Sequence, residues 1–435
     1  MTLFAALNSA ISGLSAQSAA FSNISDNVAN SQTVGFKSTD TAFIDYLTGS
    51  SAQANAPGAV VATPSYQNAV QGTLAQTNNP LNLAITGQGF FTVSKPEGVA
   101  NGAVSFSQQA YYTRAGDFSL DKNGYLVNSG GDYLNGWAVN PQTGVVNRTA
   151  LGPIQITQTQ YNPVATSSVT LQANLPATPA ATTPVSAQID VYDSLGTSHT
   201  VTLDWTQTSP NVWSVSINAP DDTAAAARGT ATVSFGAASG NAVPEGTVGS
   251  ITGGTGSVST GTYTPGAAAT LSFTDDFGAG AQTITLNLGT YGQSNGVTQY
   301  AGTAFSLQGI NQDGVPPGSF SSVTTTKAGD VQVNYNNGQS RTIARVPVTT
   351  FNNPDALQRQ DAQSFTATVA SGNPASNDSG TNGAGGLVVS SVEDSNVDIA
   401  SEFSKLIVAQ RAYTANSKIV TTADELLQQT LDMKR

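Results

Sequence analysis

Cysteine is absent from the 435 residues, and histidine occurs once, as His199. These absences exclude a disulfide framework, a thiolate nucleophile, a zinc–sulfur site and a His-rich metal cluster. Charge is scarce as well. Asp, Glu, Lys and Arg make up 10% of the chain, against roughly 25% in an average soluble domain. The 27 acids and 15 bases leave a net charge of −12. Between Thr149 and Thr326 the only base is Arg228, against nine acids. Phosphate backbones and anionic lipid are held by clustered Lys and Arg, so neither nucleic acid nor a membrane surface is an expected partner. There is no run of 18 apolar residues to span a bilayer. Met1 to Phe36 holds no Lys or Arg, and its apolar residues are spaced rather than blocked, unlike a cleaved signal peptide.

What is there is 39% hydrophobic residues and 43 glycines, enough for about three folding units at ~150 residues each. At the N-terminus Phe4, Leu7, Ile11, Leu14, Phe21 and Val28 follow alternating steps of three and four, with Ser18 and Ser25 at the skipped positions. That spacing predicts a helix with a heptad seam. Gly13 inside it lowers helix stability by ~1 kcal/mol relative to Ala. The C-terminus repeats the pattern with Ile399, Phe403, Leu406, Tyr413, Val420, Leu427 and Leu431. Ser395 or Asn396 is the expected cap there, and Asp398 and Glu402 complement the helix dipole. Two ordinary core helices are the bland reading. Seams at both extreme ends, the first almost uncharged, favour an assembly element in which the two seams pair.

Between the helices the signals are strands. Phe90, Phe91 and Val93 follow Gly87-Gln88-Gly89, and Tyr111 to Leu120, Tyr125 to Val127 and Tyr133 to Val139 are separated by Gly-, Asn- and Asp-rich turns. A second block runs Val331 to Tyr335, then Arg341 to Phe351, with a short helix expected over Asp355 to Arg359. Alternation at 189–191, 201–205, 213–217, 271–273 and 284–288 marks further half-buried strands. The expected fold class is mixed α+β: long terminal helices forming a coiled-coil-like assembly domain, with two nested β-rich domains. The boundaries expected are 1–37 plus 391–435 for the helical polymerisation domain and 38–80 plus 361–390 for extended connecting segments. A discontinuous β-domain takes 81–160 plus 301–360, and an inserted outer β-domain takes 161–300.

Sequence signs of chemistry are weak. His199 sits beside Ser194, Ser198 and Asp193, too crowded into one turn for a nucleophilic triad. Asp121-Lys122-Asn123-Gly124 opens like a calcium loop, but Leu126 stands where Gly is needed and Asp132 where the bidentate Glu belongs. Gly87-Gln88-Gly89 precedes a strand, so the phosphate-cradling helix is missing. No catalytic, cofactor or metal site and no small-molecule substrate is expected.

Four segments carry a family resemblance. Asp26-Asn27-Val28-Ala29-Asn30-Ser31 with Gly35-Phe36-Lys37 resembles the amino-terminal signature of the flagellar rod and hook axial family. Leu83 to Phe91, including Gly87, Gly89, Phe90 and Phe91, resembles its second motif. Tyr112-Thr113-Arg114-Ala115-Gly116-Asp117-Phe118 resembles the third. The fourth is Glu393-Asp394-Ser395-Asn396-Val397-Asp398, continuing through Ile407-Val408-Ala409-Gln410-Arg411-Ala412-Tyr413. The large insertion, with Tyr192-Asp193-Ser194-Leu195-Gly196, points to the hook branch rather than the shorter rod subunits. The resemblance implies a self-polymerising, non-enzymatic subunit of a curved hollow extracellular tube, exported without a cleaved signal peptide. It implies the distal rod protein, hook cap, hook–filament junction protein and flagellar export apparatus as partners. A distal rod subunit, a secreted β-rich adhesin and a carbohydrate-active enzyme are the alternatives; the adhesin leaves heptad helices at both ends unexplained, and no carboxylate pair among aromatic residues is evident for the enzyme.

Overall fold

A helix opens and a helix closes the chain, and strands fill the interval. The structure is a computed structural model that describes residues 3–50, 55–100, 103–141, 143–179, 184–224 and 226–432. Helix α1 spans Leu3–Ala29 and α2 spans Ile399–Asp432. The chain divides into two units: one of 1–158, 321–334 and 340–435, the other of 159–320 and 335–339.

In the first unit α1 and α2 lie antiparallel, since Asn27 meets Glu402, Phe21 meets Tyr413 and Gly13 meets Asn416. The expected seams are not the line of closest contact. Phe4 and Ile11 are exposed, and Leu7, Leu14, Phe21 and Val28 are only half-buried. The buried side chains of α1 are Ala10, Ala16, Ala20, Ile24 and Asn27. With Gly13 and half-buried Gln17, most of them form a heptad row one residue earlier, about 100° around the helix. A Cβ on Gly13 would lie 2.7 Å from Asn416 Nδ2; small side chains here let the helices approach. On α2 the same holds: Glu402, Ala409 and Ala423 are buried, Leu406, Val420 and Leu427 half-buried, and Ile399, Phe403 and Tyr413 exposed. The side chain of Leu431, like Lys434 and Arg435, lies outside the described residues. The α2 cap is Asp398, whose carboxylate accepts from the Ala400 and Ser401 amides, rather than Ser395 or Asn396.

The extended segment after α1 forms a long antiparallel hairpin, β1 (Thr39–Ser50) with β2 (Asn55–Tyr66). It lies along α1: Ser9 Oγ donates to the Gly58 carbonyl, the Val60 amide donates to Ser12 Oγ, and Asn23 donates to Thr41 Oγ1. Strand β3 (Leu74–Gln76) pairs with Ser391–Glu393, and β4 (Leu83–Thr86) with Gly386–Val389, so the far C-terminal segment stitches onto the start of the β body. The main sheet follows the hydrogen-bonded order Ser340–Arg345, Tyr133–Val139, β5 (Phe91–Ser94), Tyr111–Thr113, Ser364–Thr366, Gln358–Arg359. Where a short helix was expected over 355–359, a 3-10 turn at Pro354–Ala356 runs into the strand Gln358–Arg359. That strand's ladder with Ser364–Thr366 overrides the local helix signal.

The second unit holds two sheets around one core. Five antiparallel strands run in the order Val185–Tyr192, Ser198–Ser209, Val212–Asn218, Ala227–Phe235, Val248–Thr252. The second sheet is built on Ala268–Asp275, Gln282–Thr290 and Ser168–Asn174. Strict alternation buries Trp213, Val215 and Ile217 and leaves Ser214 and Ser216 facing outward. The low-complexity stretch 229–290 is therefore structural: most of its Thr and Ser lie on the outer faces, while Ser234 and Thr247 are buried.

Candidate assembly site

The side chains that carry the family resemblance lie far apart in sequence, and most converge where the chain ends meet the β body. Helix α1 stops at Ala29, where the Asn30 amide side chain donates back to the Asp26 carbonyl and carboxylate, both at 2.9 Å. The chain then turns through Gly35, with φ +70°, where a Cβ would lie 2.3 Å from the Ala115 nitrogen. Dihedral and contact both require glycine. The Gly35 amide donates to the Glu393 carbonyl at 2.7 Å. Phe36 is buried under the Arg359 guanidinium, 4.4 Å from its ring centroid.

Beside it stands a buried ionic triad. Glu393 accepts from the Lys37 ammonium at 2.5 Å and from Arg114 at 2.8 Å, and all three side chains are at most 2% exposed. Gly72 N–H adds a third donor to the carboxylate at 2.8 Å. Lys37 also donates to the Val70 carbonyl at 2.6 Å, and Arg114 to the carbonyls of Ile85 (3.2 Å) and Gly87 (2.6 Å). Burial holds both the Lys37 ammonium and the Arg114 guanidinium below their ordinary pKa values, with Glu393 opposing that fall in each. Asn396 accepts from the Ser38 amide at 2.7 Å and donates to the Gln67 and Val70 carbonyls, and Ser395 Oγ accepts from the Val397 amide.

A second polar bridge lies one step along the helices. Buried Asn27 donates to the Thr39 carbonyl (3.0 Å) and to Glu402 (3.1 Å) and accepts from the Thr39 amide (2.9 Å). Lys405 links Glu402 to Asp40 of β1. Between α1, β1 and α2 runs an apolar groove bordered by Ala20, Ile24, Phe43, Val408 and Ala409.

The remaining motif residues act elsewhere. Gly89 is buried, Phe90 packs edge-on against Phe351 and Phe365, and Phe91 against Phe118 on the opposite face of the strand. The Gly116 carbonyl accepts from the Leu83 amide at 2.8 Å. Gln410 and Arg411 are exposed on α2. Lys37, Glu393 and Glu402 were not singled out as site residues from sequence, although the quoted motifs contain the first two. The available signal was that Lys37 is the first base in the chain.

The chemical candidates have structural duties. The Asp193 carboxylate accepts from the Leu195 and Thr197 amides, and Ser194 donates to the Ala279 carbonyl. The His199 ring nitrogens face Asp193 (3.6 Å) and Asp221 (3.1 Å), with the ring stacked on Phe277. Asp121 accepts from the Asn123 and Tyr125 amides, which is a turn. Among the described residues no group of three or more His, Asp or Glu is placed to hold a metal ion, and no helix is long and apolar enough to cross a membrane.

Paired terminal helices joined to a β body by such motifs define an axial flagellar subunit, and four family profiles match in chain order. They are the flagella basal body rod protein (residues 7–37), the flagellar hook protein FlgE/F/G D1 domain (84–174), the flagellar basal body protein FlaE D2 domain (162–315) and the flagellar basal body rod FlgEFG protein C-terminal (389–433). Whole-chain relatives narrow the class. The flagellar hook protein FlgE of Brucella abortus biovar 1 (strain 9-941) is 30% identical over 442 residues, covering 100% of both chains. That of Salmonella typhimurium (strain LT2) is 31% identical over 443 residues, covering 98% of this chain and 99% of its own. The Helicobacter pylori flagellar hook protein FlgE2 crystal structure aligns over 72% of this chain and 98% of its own, with TM-score 0.47 at 16% identity. The chain belongs to the flagellar hook protein family. It is a structural subunit of the hook; the distal-rod and adhesin alternatives are not favoured.

Proposed function

We propose that copies of this chain polymerise through the helix pair and the β1–β2 hairpin into the curved hollow tube of the hook, a universal joint carrying torque from rod to filament. The observation that carries this reading is the apolar surface that the first unit leaves open. Phe4 and Val408 are each 66% exposed and Phe403 and Ile407 each 52%, and Phe43 and Tyr46 of β1 are exposed in the same unit, with Phe43 and Val408 lining one groove. Monomeric proteins rarely leave contiguous apolar patches beyond a few hundred Å² unless a partner covers them. A second copy brings a matching α1 whose one charged residue is Asp26. The larger seam residues then divide their work: Phe4, Ile11, Ile399 and Phe403 meet neighbours, and Tyr413, edge-on to Phe21, and the half-buried ones flank the intrachain contact.

In this reading 1–37 with 391–435 is the coiled-coil-like polymerisation domain, and the β-rich remainder forms two nested domains. Weakly charged surfaces between copies carry few fixed salt bridges, so neighbours shift without crossing deep minima. The distal rod protein, hook cap, hook–filament junction protein and export apparatus are the further partners, export needs no cleaved signal, and the subunit has no catalytic role. Electron microscopy of the purified chain under polymerising conditions tests this: curved tubes are expected, and amorphous or unassembled protein would overturn it.

A further inference from the structure

The two chain ends depend on one carboxylate, and they depend on it unequally. Glu393 holds Lys37 through Oε1 and Arg114 through Oε2. Arg114 has further support from the Ile85 and Gly87 carbonyls and from the Phe90 ring, 5.4 Å away. Lys37 has one other acceptor, the Val70 carbonyl. With Glu393 seated on Arg114 the site is a neutral pair that can wait for a partner. With Lys37 seated and Glu393 absent, two cations share a buried site with no anion, which a protein interior opposes strongly.

We propose that Glu393 is a positioning residue that orders the docking of the two chain ends. The C-terminal strand seats on Arg114 first, and only then does the Lys37 arm, with α1 behind it, close onto the body. Both helices are thereby presented for assembly together, an inference that rests on the polymerisation reading of the helix pair.

Individual amides report each step. Gly35 N–H donates to the Glu393 carbonyl and Ser38 N–H to Asn396, so these two read the arm. Asp394 N–H donates to the Thr73 carbonyl and reads the C-terminal strand.

The test is hydrogen exchange on the full chain as monomer, paired with an assembly assay. Glu393→Gln should speed exchange at Gly35 and Ser38 by about a hundredfold or more, leave the strands at 91–94 and 133–139 protected, and block assembly. Lys37→Met should leave Asp394 protected, because the Glu393–Arg114 pair survives. Lys37→Met with Glu393→Gln should regain much of the protection at Gly35 and Ser38, because one of the two orphaned cations is gone and Arg114 keeps the Ile85 and Gly87 carbonyls. A role in packing alone would make that double variant worse than Glu393→Gln, which would overturn the proposal. Loss of protection at Asp394 in Lys37→Met would also overturn it, and that result stands even if Glu393→Gln fails to fold. Failure of the wild-type chain to form tubes would sink the polymerisation reading and leave the exchange result to stand by itself.

Discussion

The second unit and the helix pair spend their apolar residues in opposite ways. In the second unit Trp205, Trp213 and Phe235 are sealed between two sheets, and most Thr and Ser of the same strands lie on the outer faces. In the helix pair the sealed residues are mostly alanines, while Phe4, Phe403, Ile407 and Val408 stand in solvent. A core that closes with large side chains is finished as a monomer. A contact that closes with small ones and keeps its large ones outside is half of an interface. The difference separates a region built for its own stability from one built for its neighbours.

The sharpest way to break this comparison is Trp205→Ala. Removing a fully buried indole should destabilise the second unit by about 3–5 kcal/mol, read as an earlier urea transition in Trp fluorescence, with the first unit unfolding where it did before. Equal loss in both units would mean that their cores are not separate.

Gly13→Leu comes next. The added side chain meets Asn416 across the helix contact, and overpacking of this kind costs about 1–3 kcal/mol. Helical circular dichroism should fall at lower temperature while the β signal persists. An unchanged helical transition would show that the two helices do not pack closely there.

Each unit also buries a carboxylate whose pKa is pushed up to about 6: Asp132 by burial, partly opposed by Lys95, and Asp275 by burial, partly opposed by Arg228. A carboxyl raised in the folded state contributes stability that is complete below about pH 3.8 and fades as pH rises through 6. Asp132 has an oxygen without a hydrogen-bond partner, so Asp132→Asn should stabilise at pH 7 by about 1–3 kcal/mol. The gain should vanish near pH 4. Asp275 is ion-paired with Arg228 at 3.0 Å, so the same change there should stabilise less at pH 7. Urea titrations at both pH values check the two gains.

The smallest effect on the monomer should come from Ile407→Ser. At 52% exposure the side chain stabilises little, and monomer stability should stay within about 0.5 kcal/mol. Tube formation should nonetheless fall sharply, by microscopy and sedimentation. Normal assembly would remove α2's outer face from the interface.

Much of the architecture was readable along the chain. Heptad spacing marked both helices, alternation at 213–217 and 284–288 marked sandwich strands, and Asn-, Asp- and Gly-rich turns marked the hairpins. The rotation of each helix was not readable. Periodicity weights Phe, Leu and Ile, whereas the contact that forms is chosen by how closely two backbones approach, and Ala and Gly win that contest. The hairpin at 39–66 was also missed as a paired element: its two strands are recognised through their register with each other and their hydrogen bonds to α1.

The sequence by itself determined the class of protein, both helices and most of the strands. A cysteine-free, charge-poor chain with periodic helices at both ends and ordered motifs has few other readings, because periodicity and turn chemistry are local properties. Only the tertiary structure decided what the motifs are for. Lys37 and Glu393 are 356 residues apart and Arg114 and Glu393 are 279 apart, and no local pattern announces that one carboxylate will serve both cations. Ion pairing in a dry site depends on distance in space and on exclusion of water, and both exist only once the chain has folded.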